Sequence, residues 1–213
     1  MKKLIIIFIL LVPALASAQT TNDIFNPNVP VVFFGSDFSQ IQFTKSEEFN
    51  NKPDIVRFFV DCNNYFELDP FPKMLRKKMK RKDIQYDLSY VNKNNASVEW
   101  QKVFSDNTEY GLSDGDIENA IKKLNINQEV YKNSIGMVFC EENYSKTKLL
   151  GTVAVVFFSM NDLQPLLIKH YSFKPSGFGF LYYWSSINYM AIKYLKVLHY
   201  ELKQESIKLK SRK

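Results

Sequence analysis

The densest concentration of reactive side chains lies between residues 73 and 82. Lys73, Arg76, Lys77, Lys78, Lys80, Arg81 and Lys82 put seven cations in ten residues, with only Met74, Leu75 and Met79 between them. On a helix Leu75 and Met79 are one turn apart and share a face, so the cations fan around the remainder. A helix end complements its own dipole with three or four such charges, and seven exceed that need. A solvated helix face and a site for an anionic surface both remain open readings. The partners suited to the second are anionic lipid, a lipopolysaccharide phosphate or an acidic envelope protein.

Acid–base and nucleophilic chemistry has thinner support. Asp37, Glu141 and His170, brought together at one end of a sheet, would suit a small hydrolase or transferase. Glu141 and Glu142 are neighbours, so on a strand they point to opposite faces and cannot share a proton. Cys140 and Ser159 are the nucleophiles that neighbouring strands would bring near His170. His199, on the polar flank of the last helix, is given no role. The chain has no G-x-G-x-x-G, P-loop, G-x-S-x-G or H-E-x-x-H; Gly177-Phe178-Gly179 reads as a backbone turn into a helix. Two His and two Cys exclude a three-His or a four-Cys metal centre. No cofactor and no metal is expected. The sequence therefore reads as a non-enzymatic binding protein, with the Asp37/Glu141/His170 enzyme as the alternative. A third reading is an interaction module pairing through a sheet edge or through the aromatic segment 175–192, and an uncovered Trp184 would mark it.

The elements that must position these residues follow from periodicity. Val29 to Phe34 and Ser39 to Thr44 read as strands around the turn Gly35-Ser36-Asp37-Phe38. Ile55, Phe58, Phe59, Cys62 and Phe66 mark a helix. Asp69-Pro70 reads as the cap of a second one running to about Lys82. Ile84 to Tyr90 alternates like a strand, and Asn92 to Asn95 reads as a polar turn. Ser113 and Asp116 form a capping-box pattern before a helix through Leu124. Ile135 to Glu141, Leu149 to Ser159 and Leu166 to Phe173 form a three-strand antiparallel meander whose middle member is apolar on both faces. From Phe180 onward, apolar residues recur every three or four positions in a long helix. The expectation is one α+β domain over residues 29–202, a mostly antiparallel sheet with a C-terminal three-strand meander, packed against helices including a long C-terminal one. Residues 19–28 read as a flexible lead-in and 203–213 as a basic tail.

The first eighteen residues carry an address. Lys2 and Lys3 precede the apolar run Leu4 to Leu15, and Ala16-Ser17-Ala18 gives a small-x-small cleavage site, the anatomy of a secretory signal peptide. The run is short for a bilayer span, and no transmembrane helix is expected in the mature chain. The net charge of +6 falls to +4 once the two leader lysines are removed. Export places the protein in the periplasm, at the outer membrane or outside the cell, and makes nucleic acid an unsuitable partner. It also puts Cys62 and Cys140 where they either pair or remain buried thiols.

Three segments carry a resemblance: Val32-Phe33-Phe34-Gly35-Ser36-Asp37-Phe38-Ser39, Gly136 to Tyr144, and Gly177-Phe178-Gly179-Phe180-Leu181-Tyr182-Tyr183-Trp184. With the leader, they resemble uncharacterised exported proteins of Bacteroidetes over most of the mature chain. More loosely, the element order is similar to small αβ envelope domains such as the TolB N-terminal domain. Neither resemblance implies particular site residues.

Overall fold

In the computed structural model the described residues are 19–45, 47, 49, 52–107 and 110–210; the leader expected at 1–18 lies outside them. The architecture is set by β6 (Leu150–Ser159). Val153, Val155 and Phe157 enter one core, while Ala154, Val156 and Phe158 enter a second. A strand apolar on both sides requires a sheet covered on both sides. β6 pairs antiparallel with β5 (Ile135–Ser145) and β7 (Pro165–Phe173), as the short links predict.

The rest of the sheet corrects the expectation. β1 (Val31–Asp37) and β2 (Gln42–Thr44) run parallel to β5 along its other edge. β3 (Gln85–Tyr86) and β4 (Phe104–Ser105) extend them, again in parallel. Four of the six ladders are thus parallel, and the sheet is not mostly antiparallel but a single curled half-barrel. The physical reason is that periodicity identifies a strand and its buried face but not its partner. Val31 meets Ile135 only after the intervening helices return the chain in the same direction.

Five helices cover the two faces. α1 (Ile55–Asn64), α2 (Phe71–Met79) and α5 (Gly179–Lys210) bury Phe59, Leu75, Trp184 and Ile187 against one face. α4 (Asp114–Lys123) covers the other through Ile117 and Ile121, joined by Val91 of α3 (Ser89–Ala96). α4 begins as expected: Ser113 Oγ accepts from Asp116 N at 3.2 Å, and Asp116 Oδ2 accepts from Ser113 N at 3.0 Å. α3 is a departure, because the sequence pattern predicts a strand to Tyr90 and a turn at Asn92–Asn95. Asp87 Oδ1 accepts from Ser89 N at 3.0 Å, a local turn that ends the extended run and starts the helix.

The helical placement of Asn95 has a purpose in the fold. Gly35 adopts φ +93°, where β1 bulges against β5. A Cβ there would lie 2.4 Å from Asn63 Oδ1. Asn63 accepts from Ser36 N and donates to Ser36 O; Asn95 accepts from Phe38 N and donates to Ser36 O, all at 2.7–2.9 Å. Two buried amides, one from α1 and one from α3, thus satisfy the backbone groups that the bulge leaves without ladder partners.

Cys62 and Cys140 are free thiols in the two separate cores, on opposite faces of the sheet, so they do not pair. Residues 19–28 are packed onto the body: Ile24 is fully buried, and Thr21 Oγ1 donates to Leu166 O at 3.1 Å. The helix of residues 203–210 continues α5 without a break. Among the described residues no helix is long and apolar enough to cross a membrane.

Candidate functional site

α2 ends at Met79, short of the expected Lys82, because Lys80 takes a left-handed conformation (φ 53°) and its N–H closes on the carbonyls of Arg76 and Lys77. The reversal sends Arg81 inward. Its guanidinium donates to the carbonyls of Ile24 (2.6 Å) and Val29, and burial lowers its pKa to about 10. Arg81 therefore tethers the N-terminal segment and leaves the group of seven surface cations. Arg76 is half-buried beside Tyr86, and Lys82 is exposed outside the hollows described next.

The remaining cations of α2 meet a second set from α5. Lys73, Lys77 and Lys78 border a shallow hollow of about 370 Å³ with Tyr189 and Lys193. Lys80 borders the next, of about 290 Å³, with Lys196, His199, Tyr200, Lys203 and Ile207. The two hollows share no lining residue but follow one another along the α2–α5 seam, and together they are termed the groove; in the first, Lys193 Nζ lies 4.3 Å above the Tyr189 ring. Lys73 is paired with Asp69 at 2.6 Å; among the described residues no ion pair engages Lys77, Lys78, Lys80, Lys193, Lys196 or Lys203. The field is felt at His199, whose pKa is lowered by burial and by Lys80 and Lys203. An array of unopposed ammonium groups in contact with rings suits an anionic ligand.

Sequence reasoning found only the α2 half of this groove. The α5 half was legible in principle, since Tyr189, Lys193, Lys196, Tyr200, Lys203 and Ile207 alternate by four and three residues. The same helix carries a more conspicuous apolar stripe on its buried side, and that stripe masks the basic one.

The proposed enzymatic triad is not assembled. Asp37 is buried at the β1 bulge, where its carboxylate accepts from Ser39 N at 2.9 Å, Ser39 Oγ at 3.0 Å and Asn94 Nδ2 at 3.1 Å; burial outweighs these bonds and raises its pKa. Glu141 opens to the face covered by α1 and α5, and Tyr144 O–H donates to its Oε2 at 2.7 Å. His170 lies on the other face, in register with Ala154. It meets Glu142 instead: His170 Nδ1 is 2.8 Å from Glu142 Oε1, which also accepts from Leu112 N at 3.0 Å. Asp114 Oδ1 is 3.7 Å from the other ring nitrogen.

Neither nucleophile that the sequence offers, Cys140 or Ser159, is activated beside that imidazole–carboxylate pair. The buried Cys140 thiol is pushed well above its ordinary pKa, chiefly by desolvation. Ser159 pairs with Ile135 at the far end of β6, five residues from Ala154, or about 16 Å along the strand. Among the described residues no three His, Cys, Asp or Glu side chains converge as a metal site.

Trp184 is only 1% exposed and stacks on Tyr144 at 4.2 Å, so it serves the core and is not an uncovered docking surface. An aromatic cleft of about 500 Å³ does open beside it, walled by Phe49, Phe58, Phe180 and Tyr183, with Phe178 at the rim. Compared with known proteins, the chain matches no protein family, no curated protein and no solved structure.

Proposed function

We propose that the protein is an exported, non-enzymatic binding protein of the cell envelope that holds an anionic surface along the α2–α5 groove. The observation that carries this reading is that Lys77 and Lys78 border one hollow with Lys193, and Lys80 the next with Lys196 and Lys203, while none of the six makes an ion pair among the described residues. Burying such an array would demand counter-charges, whereas leaving it in water costs little and keeps it available to a ligand. The leader pattern at residues 1–18 supports export, to the periplasm, the outer-membrane surface or the medium. Anionic lipid, lipopolysaccharide and an acidic envelope protein are the partner classes that present the matching charge.

The mechanism is electrostatic capture, in which lysine headgroups on flexible stems adapt to phosphate or carboxylate groups. Its test is binding of the purified protein to phosphatidylglycerol-containing vesicles and to heparin at increasing salt. Affinity for at least one should fall steadily with salt, and the quadruple variant K77E/K78E/K193E/K196E should lose it. Unchanged binding by that variant would place the site elsewhere.

A further inference from the structure

α5 outruns the body that it covers. Among the side chains described, Leu198 is the last that is fully covered, Leu202 is half-buried, and the helix continues to Lys210. Twelve residues beyond Leu198 correspond to about 18 Å of helix. Along the groove side, Tyr189, Lys193, Lys196, Tyr200, Lys203 and Ile207 occupy a stripe about 80° wide at 100° per residue. Glu201 and Glu205 project more than about 100° away from the middle of that stripe by the same count, so it holds no carboxylate. Tyr200 is 62% exposed and Ile207 51%, large apolar surfaces set among ammonium groups instead of being shielded from water.

Resting on the proposed anion-binding role, we propose that the occupant of the groove is the headgroup layer of an anionic phospholipid bilayer. In this arrangement the projecting end of α5 lies in the interface. The lysines contact lipid phosphates, while Tyr200 and Ile207 reach the boundary with the acyl chains. A soluble polyanion complements the lysines but offers nothing to Ile207. A bilayer presents negative charge and an apolar layer within a few ångströms of one another, the two properties that the stripe alternates. The lysines of α2 extend the contact sideways, and Lys80 joins the two helices at the point where α5 leaves the body.

The deciding experiment compares the protein, Y200S/I207S and K193E/K196E on three probes: vesicles containing phosphatidylglycerol, vesicles of phosphatidylcholine alone, and heparin. Both replaced apolar side chains are exposed, so Y200S/I207S should fold as the parent does. The expected result is binding to the anionic vesicles alone among the vesicles, weakened about tenfold or more by Y200S/I207S, the loss of roughly one large apolar side chain from an interface. Heparin binding should be unaffected by that variant and lost in K193E/K196E. A second readout is direct: in Y200W, made with both native tryptophans replaced by Phe, emission should be quenched by acyl-brominated phosphatidylglycerol. If the variant Y200S/I207S binds anionic vesicles as tightly as the parent, or the indole of Y200W escapes the brominated lipid, the bilayer assignment is wrong while the anion-binding groove stands. Heparin binding with no vesicle binding would assign the groove to a soluble polyanion and overturn the proposal. Failure on all three probes would defeat the groove reading itself.

Discussion

Ionisable groups are handled in opposite ways in two regions of this molecule. Around Glu141, a carboxyl is enclosed between the sheet and α5. Burial raises its pKa from 4.5 to about 7, against the opposing pull of Tyr144, Ser36 and Asn188. Among the described residues Tyr144 alone bonds it at hydrogen-bond geometry; Ser36 and Asn188 lie close enough to act on it, but Glu141 Oε1, Ser36 Oγ and both amide atoms of Asn188 reach no partner at that geometry. In the α2–α5 groove, by contrast, six lysines, five exposed and Lys78 half-buried, make no ion pair among the described residues. An unmet polar group in the core costs folding free energy, whereas an unmet charge in water costs almost none. The first arrangement belongs to stability, and the second is free to serve a ligand.

Substitutions in the two regions should therefore separate binding from folding. The largest effect is expected in the groove. With about 1 kcal/mol for each lysine near an anionic surface, K77E/K78E/K193E/K196E should weaken vesicle binding by on the order of a thousandfold. Its melting temperature should stay near that of the parent, as scanning calorimetry would show.

The buried carboxyl should reveal itself through pH. In the unfolded chain Glu141 ionises above 4.5, whereas in the fold it stays protonated until about 7. Its contribution is fully present below pH 4.5 and is lost as pH rises through 7, a decline of about 3 kcal/mol. Denaturant titrations across that range should show the decline in the parent and a flatter profile in Glu141→Gln.

Arg81 sharpens the contrast, because it belongs to the cationic run in sequence but to the core in space. Arg81→Met strands the carbonyls of Ile24 and Val29 and should cost about 2 kcal/mol of stability, with vesicle affinity unchanged for the folded fraction. The smallest effect concerns α4, the helix on the other face of the sheet. Ser113→Ala removes the α4 cap and should cost about 1 kcal/mol in denaturant unfolding without touching binding.

The limits of sequence reading follow from what each signal encodes. The two apolar faces of β6 and the Ser113–Asp116 cap depend on nearest neighbours, and both were legible. The parallel pairing of β1 with β5 depends on where distant segments return, and no local pattern records it. Asn92 to Asn95 looks like a turn because Asn favours turns; the clamp that Asn95 makes on β1 is a tertiary contact that overrides that preference. The candidate site was half visible: the charge run located Lys77 and Lys78. It could not show that Arg81 turns inward at the Lys80 reversal, or that α5 supplies Lys193, Lys196 and Lys203 across the seam.

Lysine acetylation footprinting, with and without phosphatidylglycerol-containing vesicles, tests the groove most directly because it reads the side chains themselves. Lys77, Lys78, Lys193 and Lys196 should become protected, while the exposed Lys93, Lys132 and Lys174 keep their reactivity. Protection spread evenly over all lysines, or centred on the second group, would contradict the account.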